Sequence, residues 1–236
     1  MKARSFRSSL SMTLIGLTCL VPALPSIAQI PCNLTTLYNT GVDNAHNSLA
    51  SNGMLDPHYD LIASADPNYP AGGPAIVDQT YATALVWVNS NNAISKWVVP
   101  QGHSVNGVPP GSPLNGLYTY KTTFDLTGFN PSTASILGDI AADDGVSAIR
   151  LNGVAIPPVG GINYAAYTAF SITSGFGNGI NSLEFDVQQI GSGPTGLRVE
   201  MCGNATAVPE PSACAMLLIG TSTLGMVCRF RRRRQR

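Results

Sequence analysis

The chain has 236 residues, 44% hydrophobic and 11% charged, with a formal net charge of zero, which allows one large domain or two small ones. The zero conceals a segregation. Lys2, Arg4 and Arg7 open the chain, Arg229, Arg231 to Arg234 and Arg236 close it, and Gln29 to Thr206 holds 12 acids against four bases, a net −8. An acidic body argues against nucleic-acid binding, which needs positive charge to displace phosphate counterions.

The basic start precedes the apolar run SLSMTLIGLTCLVPALP, and Ser26-Ile27-Ala28 supplies small residues before a cut. This reads as a secretory signal peptide over 1–28, cleaved by signal peptidase after Ala28 or nearby, rather than as a short buried helix. Cys19 lacks the small residue directly before it that a lipoprotein signal requires.

From Gln29 to Thr206 no long stretch has helical periodicity. Short runs rich in β-branched and aromatic residues alternate with Gly, Pro, Asn and Asp clusters. The expected strands are 80–88 (TYATALVWV), 95–99, 117–126, 134–142, 146–151, 166–173, 181–189 and 196–201. In LYTYKTTFDL, Tyr118, Tyr120, Thr122, Phe124 and Leu126 share one mostly apolar face. Asn152-Gly153 between VSAIRL and VAI is a two-residue hairpin signal, because both turn positions want positive φ. The segment 102–116 (GHSVNGVPPGSPLNG) reads as a loop, not a linker. About eight strands at this spacing predict an all-β fold, a single β-sandwich or jelly roll over 29–205, with one boundary near Ala205.

The search for chemistry is mostly negative. The sequence holds no G-x-S-x-G, H-E-x-x-H, C-x-x-C or P-loop, and a non-enzyme is expected. GFGNGI (175–180) lacks the last glycine of a dinucleotide loop and reads as a turn. Of His46, His58 and His103, only His58, between Asp56 and Asp60, is a candidate ligand, and a histidine in a polar loop is the stronger reading. Asp139, Asp143 and Asp144 run into a turn before Gly145 and are the candidate ligands for a structural calcium ion, the one cofactor considered. The competing and stronger reading is a turn whose aspartates cap backbone amides. Paired acids for glycoside cleavage would have to face each other across a cleft, which no spacing here implies. Trp87 and Trp97 are the only tryptophans. Trp87 is the candidate ring for stacking on a sugar; filling the sandwich core is the commoner fate of both, and Trp97, among alternating apolar neighbours, is the more core-like.

Val208-Pro209-Glu210-Pro211 is followed by an uncharged apolar run, Ser212 to Cys228, and then by the arginine cluster. A helix of that length covers about 25 Å, a little under the roughly 30 Å of a hydrocarbon core. Arginines after it stay cytoplasmic, which agrees with a signal peptide that sends the body outward. This order resembles the PEP-CTERM sorting signal of Gram-negative bacteria. The resemblance implies recognition of Pro209, Glu210 and Pro211 by a membrane-embedded exosortase, transient anchoring of 206–236 in the inner membrane, and release to the cell surface or extracellular matrix. Two prolines block helix and sheet pairing, so the motif should be extended and accessible.

Asp56-Pro57-His58-Tyr59, Ser95-Lys96-Trp97-Val98-Val99-Pro100, TTFDLTGFNPSTASILGDIAADDGVSAIRLNGV, GNGINSLEFDVQQ and PTGLRVEM resemble a domain common in bacterial surface proteins that carry this tail. That family is similar to galactose-binding-like jelly rolls, which implies the fold and no particular ligand. Three functions compete: a surface module that binds exopolysaccharide, which leads; a structural matrix component without small ligand; and a secreted glycan-active enzyme, the least favoured. Of five cysteines, Cys19 leaves with the signal peptide and Cys214 and Cys228 belong to the tail. Cys32 and Cys202 remain in an oxidising compartment, and a disulfide holding the first strand to the last is expected.

Overall fold

A computed structural model describes residues 32–84, 86–100, 112–157 and 159–209. The chain separates into two units, Met1–Ile30 and Pro31–Arg236, and the described residues all belong to the second. The expected signal peptide and C-terminal apolar helix lie outside the described residues. No described helix is long and apolar enough to cross a membrane.

Ten strands form one antiparallel sheet: β1 (Leu55–Ala63), β2 (Gly73–Val77), β3 (Val98–Val99), β4 (Gly116–Asp125), β5 (Phe129–Asp143), β6 (Gly145–Leu151), β7 (Val154–Ala155), β8 (Thr168–Ile172), β9 (Ile180–Gln189) and β10 (Gly196–Ala207). Their order is β7-β6-β9-β4-β1-β2-β3-β10-β5-β8. The sheet curls on itself: β5 packs against β9 and β6, which are not its neighbours in the ladder. The architecture is therefore sandwich-like, but the two layers are halves of one continuous sheet rather than separate sheets. Continuity is possible because the short β2 and β3 carry hydrogen bonding around the bend.

The apolar faces of the longer strands close on the main core. Tyr118, Tyr120, Phe124 and Leu126 of the β4 region, Leu183, Phe185 and Val187 of β9, Ile136 and Ile140 of β5, and Leu197 and Val199 of β10 are all buried in one cluster. The hairpin turn between β6 and β7 is as expected, with Asn152 at φ 53° and Gly153 at φ 79°. Expected strands at 117–126, 134–142, 146–151, 166–173, 181–189 and 196–201 correspond to β4, β5, β6, β8, β9 and β10.

Three expectations change. Residues 80–88 are not a strand: α1 (Thr80–Thr83) is followed by irregular chain. Asp78 Oδ1 accepts the Thr80 N–H at 2.7 Å, Asn52 Oδ1 accepts that of Gln79 at 2.8 Å, and these side chains nucleate the helical turn. At 95–99 only Val98 and Val99 are extended. Conversely β1 (LDPHYDLIA) and β2 (GPAIV) are not among the expected strands. Pro57 is tolerated because β1 is irregular between its pairings at Leu55 and Asp60, so no ladder bond is lost there. β10 also runs two residues past the boundary expected near Ala205.

Cys32 and Cys202 form a disulfide. It does not tie the first strand to the last, because Cys32 precedes β1 on a non-strand strap. The strap covers the part of the β10 edge that β3 leaves bare: the Asn33 and Leu34 N–H groups donate to Gly203 O, Met201 N–H to Asn39 Oδ1 and Val199 N–H to Thr40 Oγ1. Gly203 permits the approach, since a Cβ there would lie 2.8 Å from Leu34 and 2.9 Å from Leu37. Cross-linking over a sequence separation of 170 removes unfolded-state entropy of up to about 5 kcal/mol. Unfolding the Cys32→Ser, Cys202→Ser double variant in urea should give a midpoint well below the parent, and the parent should show no free thiol when unfolded unreduced. Two titratable thiols, or an unchanged midpoint, would contradict the bridge's role.

Candidate functional site

The outer face of the β3-β10-β5 half carries a second, smaller core of Ala82, Trp87, Trp97, Val99 and Ala141. The segment from Asp78 to Trp97 lies over this face as a cover. Trp87 and Trp97 are both buried, with ring centroids 4.3 Å apart. Trp97 Nε1–H donates to Val88 O at 2.9 Å, and Trp87 Nε1–H donates to Asp143 Oδ2 at 2.7 Å. Of the two readings of Trp87, the structure has the core one: its ring fills this second core and is not a surface platform for a sugar.

Beneath the cover is a polar cluster that the sequence did not announce. Arg198 is fully buried. Its Nε donates to Ser95 Oγ at 2.7 Å, and its terminal nitrogens donate to the carbonyls of Val88, Ser90 and Ser95. Its guanidinium carbon lies 5.6 Å from the Tyr167 ring centroid. Glu200 Oε1 accepts from Ser95 Oγ at 2.7 Å and Tyr167 OH at 2.5 Å, and Asn91 donates to Oε2. Burial lowers the Arg198 pKa and raises that of Tyr167, with the Glu200 hydrogen bond adding to the latter. The ring of donors and acceptors closes on itself. Its role is to pin the cover to β10, since a buried charge is tolerable only when so satisfied. Alternating Leu197-Arg198-Val199-Glu200 reads as apolar in and polar out, and nothing local says that the polar face is covered as well.

The three aspartates do not converge. Asp139 is exposed on β5, Asp143 is buried against Trp87, and Asp144 accepts the Ile190 N–H through Oδ2. Four residues along a strand put Asp139 about 13 Å from Asp143, too far for ligands that each sit within about 2.6 Å of one calcium ion. No group of three or more metal-ligating side chains occurs among the described residues. Asp56 Oδ2 and Oδ1 accept the N–H groups of Gly41, His58 and Tyr59, tying the strap to β1. His58 belongs to β1 rather than a loop, and its ring stacks on Tyr38 at 3.4 Å, with His46 also stacked on Tyr38 at 4.5 Å.

Two surface clefts stand out among the described residues. One, of about 680 Å³, opens between the β6–β7 hairpin and β8, lined by Leu137, Leu151, Val154, Ile156, Phe170 and Ile172. The other, of about 270 Å³, holds Tyr69 among Leu61, Pro70, Pro74, Ile76 and Pro100. At the end of β10 the Val208 N–H donates to Gly128 O, after which Val208 and Pro209 are exposed. The sheet therefore delivers Pro209 to solvent; Glu210 and Pro211 lie outside the described residues.

Residues 207–234 match the PEP-CTERM protein-sorting motif. The motif marks the chain as an exported substrate of exosortase. The folded body and the matched segment abut at Ala207. No curated protein and no solved structure matches the chain, so the galactose-binding-like resemblance of the body has no structural neighbour behind it.

Burial pushes the Asp143 carboxyl from 3.8 up to about 7; the Trp87 N–H opposes this and Asp144 adds to it. The folded state holds the proton to higher pH than the unfolded chain, so stability present in acid is lost as the pH rises toward 7. Asp143→Asn keeps an acceptor for Trp87 and removes the titration. Its stability relative to the parent should improve by on the order of 2 kcal/mol between pH 4 and pH 8, read from urea unfolding. A difference that does not vary with pH would refute the assignment.

Proposed function

We propose that the exported protein is a non-catalytic structural component of the cell surface or extracellular matrix. The observation that carries this reading is the junction at Ala207: a body closed by a disulfide and a double core runs, without a linker, into the sorting motif. Such a body survives an oxidising exterior, and an exposed Pro209 suits a protease that must reach the chain at the membrane face. The sequence supplies no motif for nucleophilic, metal or nucleotide chemistry, which supports a role in binding or scaffolding. In a host with an exosortase, mass spectrometry of the mature protein should find its C-terminus between Pro209 and Ser212. Mature surface protein still carrying Arg231 to Arg236 would overturn processing at this motif.

Exopolysaccharide binding is the second reading, and it moves from Trp87 to the Tyr69 cleft. Tyr69 is partly exposed beside the apolar walls of Pro70, Pro74 and Pro100, a setting in which a ring can stack on the apolar face of a sugar. Tyr69→Ala should weaken binding of the host's own exopolysaccharide in affinity electrophoresis by about tenfold while melting as the parent does, the loss expected for one stacking contact of about 1.4 kcal/mol. Equal mobility of parent and variant in that polysaccharide would leave the structural reading alone.

A further inference from the structure

We propose that the open edge of β8 is a homodimer interface, on which a second copy of this chain pairs its own β8 antiparallel about a two-fold axis. β8 is one end of the sheet, hydrogen-bonded on one side to β5 and, among the described residues, to no strand on the other. Proteins usually blunt such an edge with charge or proline. The opposite end of this sheet is blunted in that way, since β7 is two residues long and Pro157 and Pro158 follow it closely. β8 has neither device. It lies within Leu151 to Leu183, 33 residues without one Asp, Glu, Lys, Arg or His and the longest uncharged stretch of the body.

That neutrality selects the occupant. Two copies of a body with net charge −8 repel one another over most approaches, and the repulsion is least where the facing surfaces carry no charge. An edge strand is also self-complementary under two-fold symmetry, because an antiparallel pair presents each strand with the same donors and acceptors. The outward side chains of β8, Ala169 and Ser171, are small and exposed and leave room for close approach. Exposed apolar surface flanks the edge: Leu137, opposite Ser171 on β5, is 60% exposed, and Val154 across the 680 Å³ cleft is 71% exposed. A partner strand beside β8 would lie next to the mouth of the cleft and narrow it. The nearest charge is Asp139, opposite Ala169 on β5. In the dimer the two copies of Asp139 would be three strand spacings apart, about 14 Å, beyond the roughly 8 Å screening length at physiological salt.

The test uses protein purified from the exporting cell. Light scattering coupled to size exclusion, in a series reaching roughly 100 µM, a hundredfold above a micromolar Kd, should give twice the chain mass at the upper end. Ser171→Lys places a charge on the edge and should return the mass to that of one chain, with an unchanged melting temperature; Ser171→Thr should remain dimeric. Hydrogen exchange gives an independent reading that needs no variant. Amides of 168–172 in the parent should become more protected as concentration rises, while those of β4 should not change. A parent that stays monomeric throughout, a Ser171→Lys protein that still dimerises, or β8 protection independent of concentration would each overturn the proposal.

Discussion

The pairing of β10 with β5 is the interaction on which the rest of the body depends. It runs from Gly196 opposite Asp143 to Ala207 opposite Phe129, broken by one irregularity after Asn204. Its two faces carry different loads. Leu197 and Val199 enter the main core between the sheet halves, while Arg198 and Glu200 hold the outer cover. The free edge of β10 receives the N-terminal strap and its disulfide. Main core, cover and strap therefore share one strand, and that strand leads directly to the sorting motif.

The outer cover shows how desolvation dictates architecture. A guanidinium removed from water needs its donors met at fixed angles, and here backbone carbonyls at Val88, Ser90 and Ser95 meet them. The chain from Asp78 to Trp97 accordingly wraps the cation instead of adding another strand. Trp87 and Trp97 seal the same layer by burying apolar area beside the charge. A side chain that is ordinarily a surface group becomes the reason that two tryptophans are inaccessible.

The strap resolves a related problem of edges. β3 pairs β10 only at Leu197 opposite Val98, which leaves most of that edge of a long strand exposed. Side chains of Asn33, Asn39 and Thr40 meet the bare main-chain groups, a substitution that tolerates irregular backbone where a strand would not. Among the described residues β8 has no corresponding cover, so the strap seals the β10 side while the β8 edge ends the sheet.

How much was legible in the chain depends on whether the signal was local. Six strands could be read because alternation of side chains is a property of a few adjacent residues, and the Asn152-Gly153 turn because its backbone angles depend on two. The sorting tail was legible for the same reason: Pro209, Glu210, Pro211, the apolar run and the arginines are contiguous. The Cys32–Cys202 pairing came from counting cysteines in one compartment. The contact of Trp87 with Asp143, the covering of Arg198 and the strands at Leu55–Ala63 and Gly73–Val77 could not be read that way. Each depends on a partner distant in sequence, such as Trp87 on Asp143 or Arg198 on Ser95. The order of amino acids was enough to specify an all-β body, its bridge and its sorting motif. Which aromatic and charged groups meet solvent was settled by packing, because exposure belongs to the folded surface and not to any stretch of chain.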